Sequence, residues 1–409
     1  MDIWKLSPIV GEIVDNKVIV IFELYDISSK VSYRIANYTS NIILEPVGPT
    51  KVVIEFKQSG IYDIKWIIND VLQYQHQVNL ENISKLIFVS CDLLEADTKH
   101  SLWTTMLSEL DQPVGLVHLG DQAYMDGVFN QCKKLIKDNI TNLRQRQCFD
   151  LYSQRYCDTC KPHAALLSHV SNYYLWDDHE ITNNIQFDIS IKKITDVAVE
   201  VYKVYQQSCH LNFIINDYCW YKYINDSTVI LAIERISRPI NLDEIFKAIL
   251  SLNMDKLILC FSSAPIPTPQ GKYGEVYKSL FGLEKFWNQD QLKILYQWLF
   301  GWMGSDRQVI VVGGDLHFGV HGQMFKDKLC IPVVIASPIT NQPSFDRVLA
   351  AKAMKGDHMI GNMTFNTLSS KARRCYATLD IDRMLIKMVY SEEKYPKNKL
   401  NYIKTLFSF

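Results

Sequence analysis

The sequence predicts a layered α/β fold preceded by a small all-β segment, and three observations support this prediction. Residues 1–83 contain short runs of β-branched and aromatic residues with almost no helical period. From residue 84 onward, apolar runs alternate with helical stretches, as in layered α/β domains. Four of the later apolar runs end directly on polar clusters. We therefore expect a β-sandwich domain over residues 1–83 and a larger α/β domain over residues 84–409.

The first segment contains five predicted strands separated by turn residues, a spacing typical of an immunoglobulin- or fibronectin-like sandwich. The predicted strands are Val18–Tyr25, Val31–Ala36, Lys51–Phe56, Tyr62–Ile68 and Val71–Val78. Asn69-Asp70 between the last two predicts a hairpin turn. Nothing in this segment indicates catalysis, and its single histidine, His76, is expected on the surface of a strand.

The second segment has the alternating elements of an α/β domain. Helices are predicted at 128–157, 192–209, 241–252 and 289–302, and strands at 114–119, 173–175, 228–233, 256–261, 309–312 and within 376–390. Two longer stretches, 263–287 and 337–372, are predicted to be unstructured loops. Long connections inside a compact domain usually serve as lids or binding loops, so both are candidate walls of a substrate site.

The bulk composition excludes several classes of protein. The net charge of −1 provides no broad field for a stable nucleic-acid complex or an anionic membrane. The apolar runs are too short for a membrane span, and we see no signal peptide at the amino terminus. Ten cysteines are scattered without a repeated framework, which favours reduced thiols and a cytoplasmic location.

Residues with metal-ligand chemistry follow four of the predicted strands. The clusters are Ser90-Cys91-Asp92, Gly120-Asp121-Gln122-Ala123-Tyr124, Trp176-Asp177-Asp178-His179-Glu180 and Gly314-Asp315-Leu316-His317. Since open α/β sheets place their sites at the carboxyl ends of strands, we expect these clusters to converge. A carboxylate can bridge two cations, a phenolate suits a hard trivalent metal, and a thiolate suits a softer one. The pattern predicts one polynuclear metal site.

These four motifs, in this order, resemble those of the PhoD-like branch of the calcineurin-type metallophosphoesterases, and the resemblance covers nearly the whole chain. It implies a four-layer metallophosphoesterase-type α/β sandwich. The metal ligands that it implies are Cys91, Asp121, Tyr124, Asp178, Asp315 and His317, with Asp121 bridging two metals. It also implies two or more metal ions, either Fe3+ with Ca2+ or Zn2+/Mn2+.

The same resemblance implies roles for residues beside the metals. His179 would lie next to the substrate and assist phosphoryl transfer, and Glu180 would orient His179 or a neighbour. Asp92 would be either a ligand or a support for one. Arg235 is a candidate to hold phosphate oxygens, with an ordinary structural ion pair as the alternative.

The function implied is a metal-dependent phosphoric ester hydrolase, either a phosphatase or a phosphodiesterase, that uses a metal-bridging hydroxide as nucleophile. The substrate would be a small-molecule or oligomeric phosphate ester. The alternative is a catalytically weak or inactive binding protein on a phosphatase fold. It stays open because Leu259–Pro265 lacks a histidine that the wider superfamily has there, and because Glu234-Arg235 only approximates the Asp-x-Arg element of relatives.

Each motif alone also has a structural interpretation. Gly-Asp at a strand end is a common turn, and Asp178-His179-Glu180 could simply begin a helix. A second possible metal site consists of Cys157 and Cys160 with His163 and His169, although the spacing is not that of a standard zinc finger and packed thiols are the alternative.

Overall fold

The computed structural model describes most of the 409-residue chain. The described residues are 3–96, 101–110, 113–136, 141–183, 185, 191–210, 214–216, 219–234, 241–268, 287–304, 306–342 and 344–392. Within these ranges, no helix is long and apolar enough to cross a membrane.

The amino-terminal part is built from antiparallel strands. They are β1 (Trp4–Val14), β2 (Lys17–Leu24), β3 (Val31–Ile35), β4 (Tyr38–Ile42), β5 (Thr50–Glu55), β6 (Ile61–Ile68) and β7 (Val71–Asn79). The strands form one sheet in the order β1-β2-β5 and a second in the order β4-β3-β6-β7. The inner faces of the two sheets bury a common core that includes Val20, Phe22, Ile64 and Trp66, so the predicted β-rich amino-terminal region is confirmed.

The remaining strands form two larger sheets. They are β8 (Lys85–Val89), β9 (Val114–Leu119), β10 (Ser171–Leu175), β11 (Ile214–Asn216), β12 (Cys219–Tyr223), β13 (Thr228–Ile233), β14 (Lys256–Phe261), β15 (Gln308–Gly313), β16 (Gly319–Lys326), β17 (Leu329–Ile335), β18 (Gly356–Ile360), β19 (Met363–Lys371), β20 (Cys375–Asp380) and β21 (Leu385–Tyr390). One sheet has the order β10-β9-β8-β20-β21, and the other has the order β11-β12-β13-β14-β15-β17-β16-β19-β18. Strands β8, β9 and β10 are parallel, as are β13, β14, β15 and β17.

The described α-helices lie between these strands in the chain. They are α1 (Ser101–Ser108), α2 (Asp126–Ile136), α3 (Asn142–Cys160), α4 (Ala164–Leu167), α5 (Lys192–Tyr205), α6 (Leu242–Ser251), α7 (Gln289–Met303) and α8 (Phe345–Ala353). Four predicted helical stretches therefore correspond to helices, the first of them to two helices, α2 and α3. The motif residues Asp178–Glu180 form a short 3-10 helix.

The two large sheets pack face to face and helices cover both outer faces. Side chains such as Phe88 and Val117 from one sheet and Ile258 and Val312 from the other form the buried layer between the sheets. Helices α1 to α5 pack on the outer face of the smaller sheet, and α6 to α8 pack on that of the larger one. Continuous apolar strands are expected where a sheet is covered on both faces. The predicted four-layer α/β sandwich is confirmed.

The amino-terminal sheet shares part of its core with the α/β layers. Leu6, Ile9 and Ile21 pack in the same buried cluster as residues of α3 and α5. A buried ion pair joins Glu12 of β1 to Lys222 of β12, with 2.6 Å between the Oε1 and Nζ atoms. The two parts are therefore firmly packed together, and a domain division at residue 83 stays a prediction.

The stretch 337–372 is not a long unstructured loop, so that expectation is wrong. It contains α8 and the hairpin of β18 and β19, which closes one edge of the larger sheet. The apolar residues Ile360, Met363 and Phe365 of the hairpin are buried, whereas many of the polar residues that suggested a loop are exposed or half-buried. Of the second predicted loop, residues 269–286 lie outside the described part of the chain.

His76 is buried rather than exposed, because its side chain lies on the same face of β7 as the core residue Val78. Its ring packs against the rings of Trp66 and Tyr74, with centroid distances of 6.2 and 5.7 Å. Burial lowers the pKa of His76 to about 3. Burial also lowers the pKa of His118, a β9 residue, to about 4.

These two histidines predict a loss of stability in mild acid. Both are neutral in the folded protein, whereas the unfolded chain takes up protons below the ordinary histidine pKa of 6.5. Each should therefore lower the free energy of unfolding by up to about 1.4 kcal/mol per pH unit as the pH falls from about 6.5 toward 4. Urea unfolding with a chelator present, at pH 7, 6 and 5, should show a weaker pH dependence for His76→Phe. Identical pH dependences would contradict the assignment.

Candidate metal centre

Four of the predicted ligands lie in loops with an unusual backbone conformation. The φ angles of Cys91, Asp121, Asp315 and His317 are 57°, 57°, 64° and 56°. A residue other than glycine in this left-handed region costs roughly 1–2 kcal/mol. Such conformations cluster at functional sites, where the surrounding structure enforces them. These four side chains therefore share one backbone conformation, although they project from loops at the ends of three different strands, β8, β9 and β15.

The motif glycines allow the loops to approach one another closely. Gly120 has a φ of +90°, and a Cβ atom there would lie 2.7 Å from the Cβ of Asp177. A Cβ atom on Gly314 would lie 2.8 Å from the carbonyl oxygens of Leu119 and Ser262. Any larger residue at either position would therefore push the ligand-bearing loops apart.

The Ser337 hydroxyl connects two of these loops. Its Oγ donates a hydrogen bond to Cys91 Sγ at 3.2 Å and accepts one from the backbone N–H of His317 at 3.0 Å. Ser337 lies two residues after the end of β17, at another strand end of the larger sheet. One hydroxyl therefore fixes both a thiol and the loop that carries an imidazole.

Two groups of ligand atoms share the Asp121 carboxylate. In the first group, atoms of Cys91, Asp121 and His317 lie within 4.8 Å of one another. In the second, atoms of Asp121, Asp178 and His179 lie within the same distance. A carboxylate common to two adjacent groups is the arrangement that a bridging ligand between two cations requires.

Tyr124 lies beside the first group. Its Oη is 3.0 Å from His317 Nε2, and it accepts a hydrogen bond from Asn341 Nδ2 at 3.3 Å. The Tyr124 ring also packs against the His179 ring, with 4.3 Å between centroids. The phenol oxygen is therefore placed beside an imidazole nitrogen of the first group.

The electrostatics of the first group favour a cation. Burial raises the pKa of the Cys91 thiol well above its usual value, and the neighbouring Asp121 and Asp315 carboxylates raise it further. Burial and the charges of Cys91 and Asp121 likewise raise the pKa of Tyr124. A bound cation would reverse both effects by stabilising the thiolate and the phenolate. The donor set therefore fits a transition metal or a hard trivalent metal.

His179 is held by a carboxylate that the motifs did not indicate. Its Nδ1 lies 2.7 Å from Asp126 Oδ2. The other oxygen of Asp126 accepts hydrogen bonds from Thr182 Oγ1 at 3.1 Å and from the backbone N–H of Asn183 at 2.8 Å. Burial alone would lower the pKa of His179, but Asp121, Asp126 and Asp178 raise it to about 9. The ring is therefore fixed in orientation and surrounded by negative charge.

Glu180 orients the backbone rather than His179. Its carboxylate accepts hydrogen bonds from the N–H groups of Asp121 (3.1 Å), Gln122 (2.5 Å), Ala123 (3.4 Å) and Asp177 (2.7 Å). It closes the capping box of the 3-10 helix with Asp177, so the helix-start interpretation of this motif is also correct. Of the two alternatives expected for Glu180, these contacts fit the orientation of a neighbour: Glu180 secures the loop that carries Asp121, and Asp126 contacts His179.

Asp92 belongs to neither ligand group and contacts residues beside the site. Its carboxylate accepts a hydrogen bond from Thr340 Oγ1 at 2.9 Å and lies 3.2 Å from His163 Nε2. Within the described residues, neither of the two ligand groups includes Cys157, Cys160, His163 or His169, so the second possible metal site finds no support. Arg235 lies outside the described residues.

Three residues of the site were missed in the sequence: Asp126, Ser337 and Asn341. Asp126 follows Tyr124 by two positions, and its proximity to the Gly120–Tyr124 motif was the available signal. Ser337 and Asn341 follow the apolar run Val333–Ala336, which is a further strand end. The same rule that identified the other clusters could have found these two.

Comparisons with known proteins agree with this geometry. The family model of the PhoD-like phosphatases matches residues 86–206, which carry three of the four motifs. No curated protein matches the chain in sequence.

Two solved structures share the fold. A PhoD structure superposes with a TM-score of 0.63 at 12% identity, covering 95% of this chain and 92% of that one. The purple acid phosphatase PPD1 from yellow lupin (Lupinus luteus) seeds gives a TM-score of 0.55 at 10% identity, covering 91% of this chain and 69% of that one. The resemblance to PhoD-like phosphatases that the four sequence motifs predict is therefore confirmed.

Proposed function

We propose that this protein is a metal-dependent phosphoric ester hydrolase. The observation that carries the proposal is the position of Asp121, whose carboxylate belongs to two adjacent groups of metal-ligand atoms. The PhoD-like match over residues 86–206 supports a phosphoesterase of this kind. Because the ligand residues of both groups lie close together, we favour the hydrolase over the alternative of a phosphatase-fold binding protein that has lost its metal site.

The three residues of the first group, Cys91, Asp121 and His317, would hold one metal together with the neighbouring Tyr124. Asp178 and Asp121 would hold the second, and Asp315 would complete one of the two sites. Fe3+ with Ca2+, or Zn2+/Mn2+, would suit these donors. When bound, such a pair of cations would activate water as the nucleophile and withdraw charge from the phosphoryl oxygens.

His179 would contact the reacting phosphoryl group or its leaving oxygen. Asp126 Oδ2 lies 2.7 Å from the Nδ1 atom of the ring, so Nε2 is the nitrogen that would face the substrate. A protonated imidazole in that position can donate a proton to the leaving oxygen and stabilise negative charge on the phosphoryl group. Asp126 is then a positioning residue that fixes the ring and favours its protonated form.

Other parts of the proposal rest on sequence. Arg235 is proposed to hold phosphate oxygens, because a guanidinium can bind two of them at once. The substrate is proposed to be a small-molecule or oligomeric phosphate ester, and the site geometry is compatible with a monoester or a diester. The ten cysteines form no disulfide, which supports the proposal of a cytoplasmic location.

Metal analysis combined with hydrolysis assays tests the proposed function. We expect about two metal ions per chain, and turnover of a chromogenic phosphate monoester or diester that a chelator abolishes. Iron bound by Tyr124 or Cys91 should add a visible charge-transfer band. Full metal occupancy without hydrolysis of either ester would instead favour the phosphatase-fold binding protein, and a protein without metal would refute the metal centre itself.

A further inference from the structure

A cleft of about 520 Å³ lies beside the candidate metal centre and adjoins it at Tyr124. Tyr124 and Asp126 form part of its wall, and both residues contact His179. Further parts of the wall come from Glu95 in the 3-10 turn Leu94–Ala96, from the rest of α2 and from α3. A group that leaves the phosphoryl centre past His179 would enter this space.

The charged groups that the described residues bring to the cleft are mostly acidic. Within this described part, the wall contains the carboxylates of Glu95, Asp126 and Asp158 and one cationic side chain, Arg155. The Arg155 guanidinium is bound by both carboxylate oxygens of Glu95, with Nη2 to Oε2 at 3.0 Å. The pair therefore carries no net charge, so within the described wall Arg155 is engaged by Glu95, and the Asp158 carboxylate repels an anion.

The remaining wall is suited to a neutral organic group. Leu93, Val128 and Leu151 contribute apolar side chains. The Gln154 amide is turned to Asp158, donating a hydrogen bond of 2.8 Å to its carboxylate. A polyanionic chain or a second phosphate group would need several cationic donors here, and the described wall instead offers apolar contacts, carboxylates and the amides of Gln131 and Gln154.

We propose that this cleft receives the alcohol portion of the ester and selects alcohols that carry no negative charge. The inference rests on the proposed function, because it takes the cleft as the leaving-group side of a phosphoryl-transfer site. Glu95 is its specificity-determining residue, since it binds Arg155 and so keeps that guanidinium from binding an anionic alcohol. Discrimination of this kind works by repelling the wrong substrate.

Two phosphate monoesters that differ in one charge test this specificity. 4-(Carbamoylmethyl)phenyl phosphate and 4-(carboxymethyl)phenyl phosphate have nearly the same shape, and only the second has an anionic leaving group. We expect kcat/KM to be about tenfold higher for the amide in the unmodified protein. Glu95→Gln should bring the two values to within about twofold by releasing Arg155. Glu55→Gln is the matched control, because Glu55 is also an exposed carboxylate paired with a cation, Lys17, but lies in β5.

The outcomes separate this inference from the proposed function. Equal kcat/KM values for the two esters, unchanged in Glu95→Gln, would overturn the selectivity and leave the hydrolase intact. If neither ester is hydrolysed, the hydrolase proposal fails, and the corresponding non-hydrolysable phosphonates still decide the preference of the cleft. Calorimetry should then give a Kd about tenfold lower for the amide phosphonate, and equal Kd values would overturn the inference.

Discussion

Replacing Asp121 by Asn is expected to lower kcat by about 10³-fold or more and to reduce the metal content of the purified protein. The side chain keeps its size, but the amide carries no charge and cannot offset the repulsion between two adjacent cations. The backbone of residue 121 should stay in place, because its N–H is held by Glu180 at 3.1 Å. The loss should therefore arise from the carboxylate itself. Elemental analysis and the kcat of a chromogenic phosphate ester measure the two effects.

Asp196→Asn serves as the control for this substitution. Asp196 forms an exposed ion pair with Lys192 on α5, so its replacement should change neither metal content nor kcat. Circular dichroism should show that both variants remain folded. Retained activity with full metal loading in Asp121→Asn would rule out Asp121 as the bridging ligand.

The convergence of the motif residues could be predicted because strand ends are easy to recognise in this sequence. The runs before Cys91, Asp121 and Asp178 are short, apolar and parallel in the structure, as a sheet covered on both faces requires. Parallel neighbours bring their carboxyl ends to one edge, so ligands distant in sequence meet there. The rule needs only the local sequence pattern. It therefore predicts that these residues converge without any knowledge of loop conformation.

Contacts between loops could not be predicted in the same way. Asp126 and His179 are separated by 53 positions, and adjacency in the chain instead suggested Glu180 as the partner of His179. Glu180 points back to the loop of Asp121, because the 3-10 helix turns its side chain away from the imidazole on the preceding residue. Side-chain direction within a single helical turn depends on the turn itself, and residue order does not reveal it.

Irregular strands at the edge of a sheet were also not predicted from the sequence. Strand β1 contains Pro8 and Gly11, and its pairing with β2 shifts register at three points. Such interruptions remove the regular alternation by which strands are recognised. Gly11 is required there because a Cβ atom would lie 2.5 Å from the carbonyl oxygen of Cys209. Gly11 is thus required by the close packing of β1 against the α/β layers. This requirement makes the sequence of β1 resemble that of a loop.

Replacing His179 by Ala is expected to lower kcat by about 10²- to 10⁴-fold while the metals remain bound. If His179 protonates the leaving oxygen, the loss should be larger for an alkyl phosphate than for a nitrophenyl phosphate, whose leaving group needs little protonation. Asp126→Asn should give the same dependence on leaving group with a smaller loss, about 10- to 100-fold, since it removes only the support of the ring. Steady-state kinetics with both esters and elemental analysis of each variant provide these measurements.

Two results would contradict the assignment of His179. Loss of metal from His179→Ala would make it a ligand, which its place in the second group of ligand atoms with Asp121 and Asp178 also allows geometrically. An equal loss of kcat for both esters would show that the ring stabilises the phosphoryl oxygens without protonating the alcohol. Asp126→Asn distinguishes these cases further. The 2.7 Å contact orients the ring in either role, but only proton donation makes the effect of Asp126 depend on the leaving group.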